Sequence, residues 1–358
     1  MFYLVTSIRG NSVLSIRKMD LYYSGLLILL FRPTIIMQYP VLDRIVSLTT
    51  NVILIFALGY FVLRNMPMSA WLRHIGLIVA TLSIMTIINK GEMTFVFAAL
   101  KIFASAIIIA NLSRYDHERF HLMTKYTLFS LVMLNLFSML LLPNGIIQIS
   151  REANEWYQYS VKWWILGNKN AMLLWLFPLN ILSQINICLK RKEQKSCRLD
   201  YYIVLSTLVT AIISQSTTTM IVIGLLCLYV VFYQFINSIH GVFSPFTVMF
   251  FYIFFTILLV TGLQLDVLDY TTALFGKDAT FTGRTLAWAQ SIELIAKRPL
   301  FGYGIIDENT SRNMLGKYAF VNSHNTLIQS FINGGLLLCT QYLAILYLIC
   351  KRIQSIDD

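Results

Sequence analysis

The sequence predicts an all-α polytopic membrane protein of about ten transmembrane helices, with a large extracytoplasmic loop before the last one. Three observations carry this reading. First, the 358 residues are 57% hydrophobic and only 13% charged, with a mean hydropathy of +0.67, whereas soluble domains carry about 25% charged residues. Second, most apolar runs approach the roughly 20 residues with which a helix crosses a hydrocarbon core, and they lack the alternation of barrel strands. Third, the formal net charge of +11 is concentrated between the runs. That is positive-inside patterning, which explains the basic balance better than nucleic-acid binding does.

The runs fall at 21–39, 45–63, 72–89, 93–111, 126–143, 169–188, 200–214, 216–235, 244–263 and 332–350. Arg32 and Pro33 interrupt the first. The seventh and eighth meet at Ser214, Gln215, Ser216 and Thr217, and the seventh is short enough to be a broken or re-entrant helix. The basic segments are Arg9, Arg17 and Lys18; Arg64 and Arg73; Arg114, Arg119 and Lys125; Lys190, Arg191, Lys192, Lys195 and Arg198; and Lys351 and Arg352. Ten crossings put all of them on one side, so both termini are expected in the cytoplasm. The loops 144–168 and 264–331 then face outward from a single transmembrane domain covering 1–358. Tyr22 to Leu30 is not read as a cleavable signal, because no small-residue cleavage site follows it. Cys188, Cys197, Cys227, Cys339 and Cys350 form no CxxC pair and suggest neither a disulfide framework nor a metal site.

Two charges fall inside runs, Arg32 in the first and Lys101 near the middle of the fourth. A charge at the bilayer centre costs about 2.5–3.5 kcal/mol, so it should face protein or a wet cavity. For Lys101 the readings are snorkelling, a bond to a helix carbonyl, or contact with an anionic lipid-linked substrate.

The 264–331 loop carries the functional signal. Thr282-Gly283-Arg284-Thr285 precedes Leu286, Ala289, Ile292 and Ile295 at helical spacing, with Trp288 beside them and Pro299 as the stop. This predicts an amphipathic helix across the outer mouth of the bundle, or in the plainer reading an interfacial anchor. Gly302-Tyr303-Gly304 permits a tight turn or close approach of a ligand. Asn322-Ser323-His324-Asn325-Thr326 then leads into the last run through Gly334-Gly335. Ser323 is the expected N-cap, which puts His324 and Asn325 in the first helical turn, where free backbone N–H groups favour an anion. The plainer reading is a polar span end. His74, His117, His121 and His240 are predicted on the cytoplasmic side. Trp156, Trp163 and Trp164, in the other outer loop, suit sugar stacking or a membrane interface.

The ordered series Thr282-Gly283-Arg284, Trp288, Arg298-Pro299-Leu300-Phe301-Gly302-Tyr303-Gly304, Ser323-His324-Asn325-Thr326 and Gly334-Gly335 resembles the O-antigen ligase and polysaccharide polymerase family. That family includes some protein O-oligosaccharyltransferases. Gly167-Asn168-Lys169-Asn170 also resembles a Gly-Asn-x-Asn element seen there, whereas many members have a Ser-Arg pair where this chain reads Ser214-Gln215. The resemblance implies a GT-C-like helical architecture and inverting transfer from an undecaprenyl-diphosphate-linked oligosaccharide, with no metal and no cofactor. It implies residence in the cytoplasmic membrane with the site facing outward.

Within that implied reaction, Arg284 is the first choice to meet the departing diphosphate and Arg298 the second, because a guanidinium fork suits phosphate oxygens. His324 is the expected general base, since imidazole titrates near neutral pH. Asn322 or Asn325 would orient it or bind sugar, with Asp307 and Glu308 as alternative bases. Gly302, Gly304, Trp288, Asn170 and Lys101 complete the expected substrate-binding set. The expected activity is polymerisation of repeat units into capsule, exopolysaccharide or O-antigen chains. A ligase or oligosaccharyltransferase is the alternative, and a lipid-linked sugar transporter a further one. Expected partners are membrane lipids, a chain-length regulator and a flippase, and no nucleic acid.

Overall fold

The computed structural model describes residues 18–63, 68–91, 93–154, 157–238, 244–261, 284–315, 323 and 325–357. The chain order is α1 (Lys18–Phe31), a 3-10 turn (Thr34–Gln38), α2 (Pro40–Leu63), α3 (Ala70–Ile88), α4 (Met93–Tyr115), α5 (His117–Leu141), β1 (Ile147–Asn154), β2 (Tyr157–Trp163), α6 (Met172–Lys192), α7 (Arg198–Ser214), α8 (Thr217–Ser238), α9 (Pro245–Thr261), α10 (Arg284–Lys297), α11 (Glu308–Leu315) and α12 (Thr326–Asp357). Among the described residues, six helices are long and apolar enough to cross a membrane: α2, α3, α4, α5, α6 and α12. Shorter apolar helices lie at Asp20–Phe31, Thr217–Phe232 and Pro245–Leu258.

The described residues are mostly helical, as expected, and one loop adds a small sheet. The 144–168 loop holds an antiparallel hairpin, with Ile147 opposite Trp163, Ile149 opposite Val161 and Arg151 opposite Tyr159. Alternating β-branched and aromatic residues at Ile147, Ile149, Tyr157, Tyr159 and Val161 are the strand signal that hydropathy averaging hides. The first run is corrected. Arg32 adopts a left-handed backbone (φ 42°) next to Pro33, so α1 stops at Phe31 and a 3-10 turn follows. Pro40 then opens α2 at the first helical position, where its missing N–H costs nothing. The seventh and eighth runs are separate helices, divided by Gln215 in the left-handed conformation (φ 53°).

Two compact units emerge, Met1–Phe56 with Ile108–Ser238, and Ala57–Ile107 with Ile239–Asp358. In the first, α6 packs on α7 and α8, and α5 on α1 and α6. Its core includes Leu128, Val132, Trp175, Leu176, Leu179, Ile203 and Ile223. Asp20 at the start of α1 pairs with Arg119 at the start of α5. Asp200 at the start of α7 receives Lys125 at 2.7 Å and Lys190, near the end of α6, at 2.6 Å. Segments predicted to share one side of the membrane therefore meet at one end of the unit. His117 and His121 lie in the opening turns of α5, at that same end, while His240 lies outside the described residues. Buried Asn180 donates to Thr207 Oγ1 (2.7 Å), and Gln184 donates to the Leu226 carbonyl (2.8 Å), tying α6 to α7 and α8.

In the second unit α3, α9 and α10 all pack against α12. Trp288, Leu294, Tyr303, Ile328 and Ile332 form a small core between α10, the segment after it and the start of α12. The last run is longer than expected: α12 spans 32 residues and is broken at Gly335 (φ 61°, ψ −154°), a backbone conformation essentially confined to glycine.

Candidate functional site

The break in α12 organises the second unit. A helix interruption strands backbone carbonyls on one side and N–H groups on the other, and the segment 299–304 satisfies both sets. Tyr303 N–H donates to Ile332 O and Gly304 N–H to Asn333 O, each at 2.8 Å. In return Leu336 N–H donates to Pro299 O at 2.8 Å and Leu337 N–H to Leu300 O at 3.4 Å. The two chains approach so closely that no Cβ fits. A methyl on Gly302 (φ +62°) would overlap Ile332 O, and one on Gly335 would overlap the Leu300 carbonyl. Gly304 (φ +74°) lies as tightly against the Thr86 backbone of α3. The glycines expected to approach a ligand thus approach protein backbone in this structure.

A second tie joins α10 to the start of α12. Trp288 is 6% exposed, and its indole N–H donates to Ser323 O at 2.9 Å. That burial turns the indole of Trp288 to the protein interior, while Ile292 of the same helix is exposed. Ser323 is itself fully buried, and its N–H donates to Gln329 Oε1 at 3.0 Å. Gln329 continues to Asn333 Oδ1 at 2.9 Å, on the turn next to the break.

The N-cap of α12 is Asn325 and not Ser323. Asn325 Oδ1 accepts from Leu327 N–H at 3.0 Å and Ile328 N–H at 3.2 Å, while its Nδ2 reaches Thr256 Oγ1 of α9 at 3.4 Å. Ser323 Oγ instead donates to Asn325 O at 2.9 Å, two residues ahead of the helix. Both residue types cap well; the burial of Ser323 beneath Trp288 decides between them. His324 and Asn322 lie outside the described residues, and of Arg284 only the backbone is described, as the first residue of α10.

Arg298 follows α10 and is exposed. Its Nη1 donates to Asn89 Oδ1, and its Cζ lies 4.8 Å from the Tyr303 ring centroid, a cation–π contact. Asn89 Nδ2 in turn donates to Met85 O at 2.8 Å, so the amide is oriented with its oxygen toward the arginine. Asn89, Lys90 and Gly91 close the C-terminus of α3, with Lys90 in the left-handed region (φ 57°). Lys90 and Arg298 line a cleft of about 330 Å³ together with Asn89, Tyr303, Asp307 and Thr310. A neighbouring groove of about 470 Å³ is lined by Met85, Ile88, Pro299, Leu300 and Phe301, and shares Asn89 and Arg298 with the cleft. Asp307 caps α11, accepting from Thr310 N–H at 2.9 Å. That hydrogen bonding to Thr310 holds its carboxyl below the ordinary carboxylate range and makes it a poor proton acceptor near neutral pH.

The remaining expected site residues are dispersed. Lys101 is half-buried within α4. Asn170 belongs to the first unit, where it is exposed at a turn organised by Asn168, whose Oδ1 accepts from Asn170 N–H at 3.0 Å and Ala171 N–H at 3.2 Å. Trp164 is buried in that unit's core and donates to Leu142 O at 2.9 Å. Trp156 lies outside the described residues. Sequence reasoning missed Thr86, Asn89, Lys90, Gln329 and Asn333. The Asn-Lys-Gly stop after the third run is a signal for the first of these clusters.

Residues 202–342 match the family model Wzy_C, described as O-antigen ligase. The match covers less than half of the chain, but it includes α10, the 299–304 segment, position 324 and the break in α12. No curated protein and no solved structure matches the chain.

Proposed function

We propose that this chain, whose O-antigen ligase domain match supports the O-antigen ligase/polymerase family, is a membrane glycosyltransferase that moves a glycan from a polyprenyl-diphosphate carrier to an acceptor sugar. Our specific reading is a polymerase that joins undecaprenyl-diphosphate-linked repeat units outside the cytoplasmic membrane. The observation that carries it is the Trp288–Ser323 hydrogen bond. Position 284 lies one helical turn before Trp288, on the same face of α10, and position 324 follows Ser323 directly. The bond ties α10 to Ser323, 35 residues further on, and this supports the reading that the Arg284 guanidinium and the His324 imidazole serve one site.

In the proposed step an acceptor hydroxyl attacks the anomeric carbon, forming a new C–O bond with inversion. The bond from that carbon to the diphosphate oxygen breaks, and the polyprenyl diphosphate leaves with the electron pair. His324 takes the hydroxyl proton, and Arg284 meets the charge that accumulates on the diphosphate. The departing diphosphate supplies the driving energy, so no nucleotide is needed outside the cell. Asp307 is a weaker candidate for the base because Thr310 occupies its carboxylate.

The test is reconstitution of purified protein with synthetic undecaprenyl-diphosphate repeat units, with products sized on a gel. A ladder is expected, and His324→Ala should reduce its rate by about 10²–10⁴-fold. The rate should fall on acidification from neutral pH as the imidazole takes up a proton. An acidic limb lying wholly in the carboxylate range would remove His324 as the base. An undiminished ladder from Arg284→Ala would remove the diphosphate role. The description of the matching family as O-antigen ligase favours a second reading, with the same donor and a different acceptor. Transfer to another acceptor without any ladder would establish it.

A further inference from the structure

The second unit contains an amphiphilic recess that the reaction above does not use. Its polar half is the cleft of about 330 Å³ that presents Lys90 and Arg298, a volume in the lower part of the roughly 300–1,000 Å³ range of ligand clefts. Among the described residues neither cation forms an ion pair. Among the described residues, the carboxylate lining the cleft is that of Asp307, which accepts from the Thr310 N–H as a cap. Arg298 is pre-oriented by Asn89 on one edge and the Tyr303 ring on a face. A guanidinium held this way loses little freedom on meeting an oxyanion.

The apolar half is the groove of about 470 Å³, and the two halves share Ile88, Asn89 and Arg298. Leu300 and Phe301 stand 56% and 58% exposed there, although their backbones are locked against the break in α12. A cleft lined by two cations, sharing three residues with an apolar groove, matches one kind of ligand, an anionic headgroup joined to a long apolar chain.

We propose that this recess binds a polyprenyl diphosphate, with the diphosphate between Lys90 and Arg298 and the first isoprenoid units along Leu300 and Phe301. It rests on the proposed function only for the identity of the lipid. A polymerase handles two carrier lipids in each cycle, and this recess would hold one while the other reacts near position 284.

The test is lipid binding by full-length protein in detergent, counted by native mass spectrometry in an Arg284→Ala background so that the reacting site contributes little. The probes are undecaprenyl diphosphate without glycan, phosphatidylglycerol and inorganic diphosphate. Undecaprenyl diphosphate should bind tightest. Arg298→Gln combined with Lys90→Asn should raise its dissociation constant by at least about tenfold, as expected for lost charge-assisted hydrogen bonds. Lys90→Asn alone is the variant that protects against a folding artefact, because Lys90 is exposed and Asn tolerates its left-handed backbone; it should weaken binding several-fold. Leu300→Ser with Phe301→Ser should narrow the gap between undecaprenyl diphosphate and inorganic diphosphate. Unchanged binding in the Lys90/Arg298 variants overturns the site, and equal affinity for phosphatidylglycerol overturns the choice of lipid. A preparation that makes no ladder but shows this binding leaves the inference standing and defeats the proposed function. A normal ladder with Lys90/Arg298 variants that bind like the parent does the reverse.

Discussion

In the first unit Lys125 and Lys190 converge on Asp200, and Arg119 meets Asp20, so the polar end of those helices is closed on itself. In the second unit Lys90 and Arg298 line a cleft with no ion pair among the described residues, over a scaffold held by backbone hydrogen bonds and glycines. The difference separates two uses of positive charge. Lys125 and Asp200 are essentially inaccessible, 1% and 0% exposed at the side chain, so their mutual contact offsets desolvation and leaves nothing for a ligand. The cations of the cleft are exposed, and the backbone beneath them is held by the interlock around Gly335.

Four substitutions break or sharpen that contrast. The largest effect is expected from Asp200→Asn, which leaves Lys125 buried without a counter-charge at a cost of about 3–5 kcal/mol. Thermal unfolding in detergent should show a large loss of stability, and a variant as stable as the parent would mean that water or lipid already solvates Lys125. Next is Gly335→Ala. It combines overlap with the Leu300 carbonyl and a disallowed backbone angle, worth about 2–3 kcal/mol together. Its distinguishing signature is faster proteolysis between α10 and α12, with the first unit's helices unaffected. Trp288→Phe keeps an aromatic ring, though a smaller one, and removes the donor to buried Ser323 O, at about 1–2 kcal/mol for the lost hydrogen bond. If the tie positions the reacting groups, the ladder rate should fall by more than the stability loss explains. The smallest effect on stability belongs to Arg298→Gln, under about 1 kcal/mol, since it loses an exposed amide contact and a surface cation–π pair. A loss as large as that of Asp200→Asn would make Arg298 structural and erase the contrast.

Much of the helical layout could be read without coordinates. Hydropathy located the runs, and the 3.6-residue pattern from Leu286 to Ile295, stopped by Pro299, located α10 within a residue or two. The basic segments foretold which helix ends meet in the first unit. The hairpin at 147–163 is hidden because its alternation is short and hydropathy averaging flattens it. The N-cap of α12 was misplaced by two residues because Ser and Asn compete on equal local terms, and only the burial of Ser323 settles the matter. The Gly302-Tyr303-Gly304 motif was visible, but its use was not. Tyr303 and Gly304 bond into the break in α12, and Ile305 N–H reaches Thr86 Oγ1 across 219 residues of sequence.

By itself the sequence determined that apolar helices of membrane-crossing length dominate the chain, that positive charge lies between them, and that an arginine, a tryptophan and a histidine recur in the order of a known family. Those properties depend on local composition and spacing, which the chain carries wherever it folds. Tertiary structure alone decided that Trp288 is buried against Ser323, that the glycines meet backbone, and that Lys90 and Arg298 share a cleft bordered by an apolar groove. Each of these joins residues distant in sequence, and such contacts depend on how helices pack, a property no single segment encodes.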